Sequence, residues 1–437
     1  MSPLSETRQA ASLSKLDKET RAESLLAWIG FFAKPIYASE DSALNRVCSI
    51  FSQLLQLFPR TEFEQAVRQH KAERHARGFT CWGQFIAMLF CQLGQAQSLR
   101  EICGGLAASE GKLRHLGLPE SPKRSTLAYA NEHRPWQLFQ TVFEQLLGKC
   151  QEVIAGPQRR RFRFRNRLLT IDSTLIDLCS TMFDWAQFQR AKGAAKLHLV
   201  LDYRGHLPRY AVITEGKASD LAVARRWRFE PGTILVMDRA YFDYRWYEQL
   251  TRQGVFFVTR PRMYSCYEVL ETRPVPEGSP ILSDEVIRLG SSTWRTRMTS
   301  PTRRIVVAIP GQPEPLVLLT NHLQFSSRTV AEIYRERWQI EVLFRALKQT
   351  LRVKTFVGTS ANALKIQIWT ALIAMLVLKY LQLRSRFAWS LSNLVALLRQ
   401  QLFVYRDLER WLDQPFQPPE TLPPLFVQLP LPLQAGT

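Results

Sequence analysis

No two of the seven cysteines are spaced as CxxC, and their odd number does not suit a disulfide framework. Cys48, Cys81, Cys91, Cys103, Cys150, Cys179 and Cys266 read instead as reduced, mostly buried thiols of a cytosolic chain. The opening residues, MSPLSETRQAASLSKLDKETR, lack the basic-then-apolar order of a signal peptide. Long apolar runs are also missing. The most apolar one, Ile366 to Leu378, covers about thirteen residues and includes Gln367, against the ~20 that a spanning helix needs. It reads as a buried helix, so the membrane and secreted classes drop out and a cytoplasmic location is expected.

Acids are the scarce charge. Asp and Glu number 38 against 58 Lys and Arg, a net of +20 over 437 residues. Such a surplus attracts polyanions, of which nucleic acid is the commonest, although a ribosome-bound or membrane-surface protein would carry it too. With 46% hydrophobic and 22% charged residues the chain is globular, long enough for two or three domains.

The chain divides by pattern. Residues 1–47 form a polar leader of unassigned role. Across 48–155, segments such as FSQLLQLF, CWGQFIAMLFCQL and SLREICGGL carry apolar residues at helical spacing, predicting an all-α N-terminal domain that binds DNA. Within it, SLREICGGL and RSTLAYANEHR are candidates for a DNA-reading helix pair, with a plain helical bundle as the rival. The following linker, GPQRRRFRFRNR, interleaves Phe162 and Phe164 with arginines including Arg161 and Arg163, which suits phosphate contact with packing or stacking. Residues 156–260 then read as strands in hairpin followed by strand–helix alternation, a mixed α/β sheet. Residues 261–325 are β-rich and turn-rich, an insertion. The part spanning 326–383 holds one long helix, about Arg328 to Arg352, capped by Ser326 or Ser327, and a second behind it. Residues 384–437 give one amphipathic helix and a proline-rich tail.

Chemistry gathers on three acids. On the long helix, Tyr334, Arg337, Glu341, Arg345, Lys348 and Arg352 fall within a sector of roughly 80°, opposite an apolar face. Ion pairs of i,i+4 type would explain that stripe alone. However, Asp172 ends the strand LLTI and Asp238 ends ILVM, and an aspartate at the end of a buried strand needs a partner or a metal. Three carboxylates without soft ligands fit a site for two Mg2+ ions, or Mn2+, ~4 Å apart for phosphoryl transfer. Among competing acids, Asp177 and Asp184 lie close by, Asp202 reads as a turn residue and Asp243 as a helix start. Lys196 and His198 share one strand face and could approach phosphate.

Tyr334-x2-Arg337-x3-Glu341-x6-Lys348 resembles the signature of DDE transposases of the IS-four family, bacterial insertion-sequence enzymes. TIDSTLID and VMDRAYFDY are similar to its two aspartate motifs, and the stretch from PRTEFEQAVRQH to ANEHR to the helical N-terminal domain of one branch. The resemblance spans about residues 48 to 415. It implies a ribonuclease-H-like core with a β insertion between Asp238 and Glu341. It also implies that Asp172, Asp238 and Glu341 hold two metal ions, and that Tyr334, Arg337 and Lys348 hold phosphates. Trp294 would stack on a flipped base, although a core tryptophan is the plainer reading. Water would cut double-stranded DNA at the terminal inverted repeats, and the freed 3′-hydroxyl would attack target DNA. The enzyme would act as a homodimer or larger on DNA, in the bacterial cytoplasm at the nucleoid. The rivals are a ribonuclease-H-like nuclease without strand transfer and a non-catalytic DNA-binding regulator.

Overall fold

A computed structural model describes residues 48–417, apart from 75–77, 110, 155–161, 178–193, 264, 276, 291–297, 350–357 and 359. The N-terminal part is helical: α1 (Ile50–Leu55), α2 (Arg60–Gln69), α3 (Cys81–Leu93), α4 (Leu99–Ala107), α5 (Arg124–His133) and α6 (Gln137–Ile154). Local chemistry sets the starts. Thr80 caps α3 by accepting from the Gly83 N–H, and Ser98 with Glu101 forms a reciprocal capping box on α4. α3 is apolar all round and wholly buried, as a central helix must be.

Nine strands form one sheet: β1 (Leu168–Asp177), β2 (Ala194–Asp202), β3 (Leu207–Glu215), β4 (Ile234–Val236), β5 (Phe256–Thr259), β6 (Tyr267–Thr272), β7 (Ile281–Leu289), β8 (Thr302–Val307) and β9 (Leu316–Thr320). Their order is β3-β2-β1-β4-β5-β9-β8-β7-β6. β1 is antiparallel to β2 and parallel to β4, β4 is parallel to β5, and β9 closes onto β5 antiparallel. The β-rich stretch expected as an insertion thus extends the same sheet. A buried Arg303–Asp284 pair, Nε to Oδ1 at 2.6 Å, fastens its strands, and Arg303 also donates to the Phe325 carbonyl.

Alternation along β1 sends its residues to two faces. Leu169 and Ile171 join a reverse-face core with α7 (Asp220–Ala224) and α8 (Tyr244–Arg252). Leu168 and Ile176 face the front, covered by α9 (Ser327–Arg335), α10 (Trp338–Gln349) and α11 (Ala361–Arg384). Ser326, one of the two expected caps, accepts from the Thr329 N–H at the start of α9.

Two expected helices are broken. The long one parts at Glu336–Arg337, where i to i−3 hydrogen bonds tighten the chain. Each half buries its apolar residues in a different core: Val330 and Ile333 against β4, β5 and β8, but Ile340, Leu343 and Leu347 against the helical region. The C-terminal one parts into α12 (Leu391–Gln401) and α13 (Leu408–Asp413). In the gap, the carbonyls of Leu402 and Val404 accept from the Phe51 and Ile50 amides, at 2.8 and 3.0 Å.

α11 runs past the expected apolar run to 24 residues, and by length and composition it could cross a membrane; 83% of its apolar window is buried inside the protein. It packs on α3, α5 and α6, so the helical region and the front of the sheet share one core. The protein is therefore mixed α/β, with one large mixed sheet and a helical N-terminal region.

Candidate active site

The last parallel pair between β1 and β4 is Thr170 with Val236, and two residues beyond on each strand stand Asp172 and Asp238. Adjacent strand ends thus carry both aspartates at one level. Asp172 faces the front, opposite Leu199 of β2, between the two cores on which α9 and α10 separately pack. The helix break therefore lies over Asp172, and Arg337 occupies it.

Asp172 Oδ1 accepts from the Ser173 N–H at 2.8 Å. Burial pushes its carboxyl up to about 7 against the restraint of that hydrogen bond, and repulsion from Asp238 and Glu341 adds to the rise while Arg337 opposes it. Asp238 caps a short turn, Arg239–Tyr241, by accepting from the Ala240 N–H at 2.8 Å; its carbonyl accepts from Thr259 Oγ1 of β5 at 3.2 Å. Glu341, in the first turn of α10, pairs with Arg337 at 2.6 Å. The other Arg337 terminal nitrogen reaches Asp172 at 3.8 Å. Arg337 Nε is buried and has no acceptor among the described residues, a donor open to an anionic oxygen.

Tyr334, in the last turn of α9, lies under Arg337 with its ring centroid 5.7 Å from the guanidinium carbon. Burial raises its phenol, and Arg337 and Arg260 pull it down. Arg260 was not singled out by sequence; it stands one residue past β5, where only adjacency in the sheet brings it toward Tyr334. Lys348 lines a narrow crevice with Thr174 and Ile176 of β1. Arg345 diverges from this group, exposed over the Trp338 ring at 5.6 Å. Arg163 is exposed, whereas Phe162 and Phe164 stack on each other at 4.9 Å and pack inward, Phe164 onto Phe325. Their role is packing, leaving the arginine free to face solvent. Trp294, Arg161, Arg352 and Asp184 lie outside the described residues, as does the side chain of Asp177.

Other acids fall where chain position put them. Asp202 accepts from the Arg204 N–H in its turn and pairs with Arg167, and Asp243 caps α8. Lys196 and His198 do not approach the front. They point to the reverse face and pair with Asp220, at 3.1 and 3.3 Å.

The donor set suits a hard divalent cation: carboxylate oxygens alone, whose mutual repulsion at Asp172 a cation would relieve. In this conformation no three His, Cys, Asp or Glu side chains among the described residues converge on one point. Part of the cation's electrostatic place between Asp172 and Glu341 is held by Arg337.

A family model described as the transposase DDE domain matches residues 163–377, and one described as a domain of unknown function, DUF4372, matches 47–119. A Sinorhizobium fredii protein named as a transposase is 31% identical over 313 residues, covering 70% of this chain and 85% of that protein. A Geobacillus stearothermophilus protein, named as a transposase of an insertion sequence element, is 28% identical over 261 residues, 59% of this chain and 67% of its own length. A cryo-EM structure of the piggyBac transposase synaptic complex with hairpin DNA aligns at a TM-score of 0.44 and 9% identity, over 86% of this chain and 84% of that one. The relatives and the matched domain define an enzyme that acts on DNA. The chain belongs to the transposases with a DDE domain, a class that works with divalent metal ions.

Proposed function

We propose that this transposase is of the IS-four type, with Asp172, Asp238 and Glu341 holding two Mg2+ ions, for which Mn2+ can substitute. Support comes chiefly from one arrangement: Asp172 is repelled by Asp238 and Glu341 while Arg337 bridges toward it from a break in the covering helix. The strand order β3-β2-β1-β4-β5, with β1, β4 and β5 parallel, supports a ribonuclease-H-like core bearing β6–β9 as its insertion.

When bound, the ions activate the attacking oxygen and neutralise charge on the leaving one. The protein's own groups position the phosphodiester. Arg337 turns its fork and its unused Nε to phosphate oxygens, a bidentate geometry that lysine cannot offer. Tyr334 and Lys348 flank it on the same helical stretch. Arg345, Arg352, Arg161, Arg163 and Trp294 contact DNA farther out, and the region 48–155 reads the terminal inverted repeats. Pairing two ends calls for a homodimer or larger on double-stranded DNA.

The test is to incubate the protein with labelled element ends, Mg2+ and supercoiled target DNA. Strand-transfer products are expected from the wild type and none from Asp238→Ala. Cleavage without joining would favour a nuclease, and binding without cleavage, unchanged by that substitution, would leave only a regulator.

A further inference from the structure

Behind the two aspartates, on the reverse face, lies a buried polar cluster that no role yet accounts for. Asp220 begins α7, which packs on β1 and on the turn Arg239–Tyr241. Its carboxylate takes Lys196 Nζ at 3.1 Å and faces His198 Nδ1 at 3.3 Å, and the Ser173 hydroxyl also bonds to it. Lys196 is fixed again by the Ala218 carbonyl at 3.1 Å, and His198 Nε2 by Thr214 Oγ1 at 2.8 Å. His198 is fully buried. The cluster is thus held from β2, β3 and α7 at once, and none of its members reaches the front.

Ser173 connects this cluster to the front. Its N–H donates to Asp172 Oδ1 at 2.8 Å, while its side chain, pointing to the opposite face, meets Asp220. The same hydroxyl lies against the Tyr241 hydroxyl, which is buried and otherwise without a partner among the described residues. Tyr241 ends the turn that Asp238 caps. So one serine touches, directly or through a three-residue turn, both strand ends that carry the aspartates. A network needed only to satisfy buried polar groups would not spend an otherwise unpaired tyrosine hydroxyl there, since phenylalanine would fill the space without that cost.

We propose that Ser173 and Tyr241, anchored by Asp220 with Lys196 and His198, are positioning residues that set the separation of Asp172 and Asp238 and thereby the affinity of the front site for divalent metal. This inference rests on the reading of those aspartates as metal ligands. Ser173→Ala and Tyr241→Phe each remove one hydroxyl without removing packing volume. Metal binding is read without DNA or turnover, by electron paramagnetic resonance titration of Mn2+ into the full chain, alongside thermal unfolding in EDTA.

About tenfold weaker Mn2+ binding is expected for each variant, about 1.4 kcal/mol, with melting in EDTA within two or three degrees of wild type. The double variant should be little worse than either single one, because both act through one contact. Ser173→Thr, which keeps the hydroxyl, should restore most of the affinity. Wild-type Mn2+ affinity in Ser173→Ala and Tyr241→Phe, with binding lost in Asp172→Ala, overturns the inference and leaves the metal reading standing. Binding that survives in Asp172→Ala overturns the metal reading itself. Weaker binding accompanied by a large drop in melting temperature overturns the positioning role in favour of a merely structural one.

Discussion

Arg337 and Glu341 are ion-paired at 2.6 Å, one helical turn apart, with the same guanidinium turned also toward Asp172. A fixed cation therefore stands among the carboxylates that would hold the mobile ones, and the two must compete. Arg337→Ala should tighten Mn2+ binding to the DNA-free protein severalfold, while weakening grip on element ends and abolishing strand transfer. Mn2+ titration and gel-shift measurements on the same preparation check both halves. Weaker metal binding in the variant would show that the arginine orders the acids instead of opposing a metal.

Glu341→Gln and Asp238→Asn keep shape and remove charge. Each should lower cleavage roughly a thousandfold, about 4 kcal/mol, while leaving affinity for element ends within twofold in EDTA. Single-turnover cleavage and fluorescence anisotropy read the two quantities separately.

Asp172 gives a pH signature. Its folded carboxyl stands at about 7, above its ordinary value, so the unfolded chain gives up this proton first as pH rises. Folding stability of the metal-free protein should therefore fall between about pH 4 and 7 through this group, then level off. Asp172→Asn should remove that slope and raise the melting temperature at pH 7.5 by a few degrees, on the order of 2 kcal/mol. Differential scanning calorimetry in EDTA across pH tests the sign, which is opposite to that of a salt-bridged aspartate.

The Arg303–Asp284 pair, both nearly inaccessible, should behave asymmetrically. Asp284→Ala leaves a buried guanidinium and should cost ~3–5 kcal/mol, whereas Asp284→Leu with Arg303→Met should stay within ~1 kcal/mol of wild type. Urea unfolding of the two variants distinguishes these outcomes.

What the sequence made legible was whatever a single element carries. Strand ends ILVM and LLTI place Asp238 and Asp172 because burial of the preceding residues is written locally. The Tyr334, Arg337, Glu341 and Lys348 spacing is likewise local, although the helix breaks inside it. That break was hidden because both halves are apolar at helical period, and only the two different cores they meet bend the chain. Arg345 shares the spacing but not the place, since Trp338 beside it offers a nearer face. Ser173, Asp220 and Tyr241 gave no signal, as three separate segments meet only once the sheet exists. The β insertion looked like a separate unit because strand periodicity does not say which edge a strand joins.

The seam between α1 and the segment before α13 carries a consequence for synthesis. Ile50 and Phe51, wholly buried, have their amides taken by carbonyls more than three hundred residues later, at Val404 and Leu402. A ribosome completes the helical region's sequence early, but its last backbone partners emerge only near the end. Contacts of such long sequence separation form late and slow folding. A chain cut short at about residue 400 would keep every strand and all three proposed metal ligands. It would still leave two buried amides unpaired in the first helix, so damage at the C-terminal end would surface at the N-terminal one.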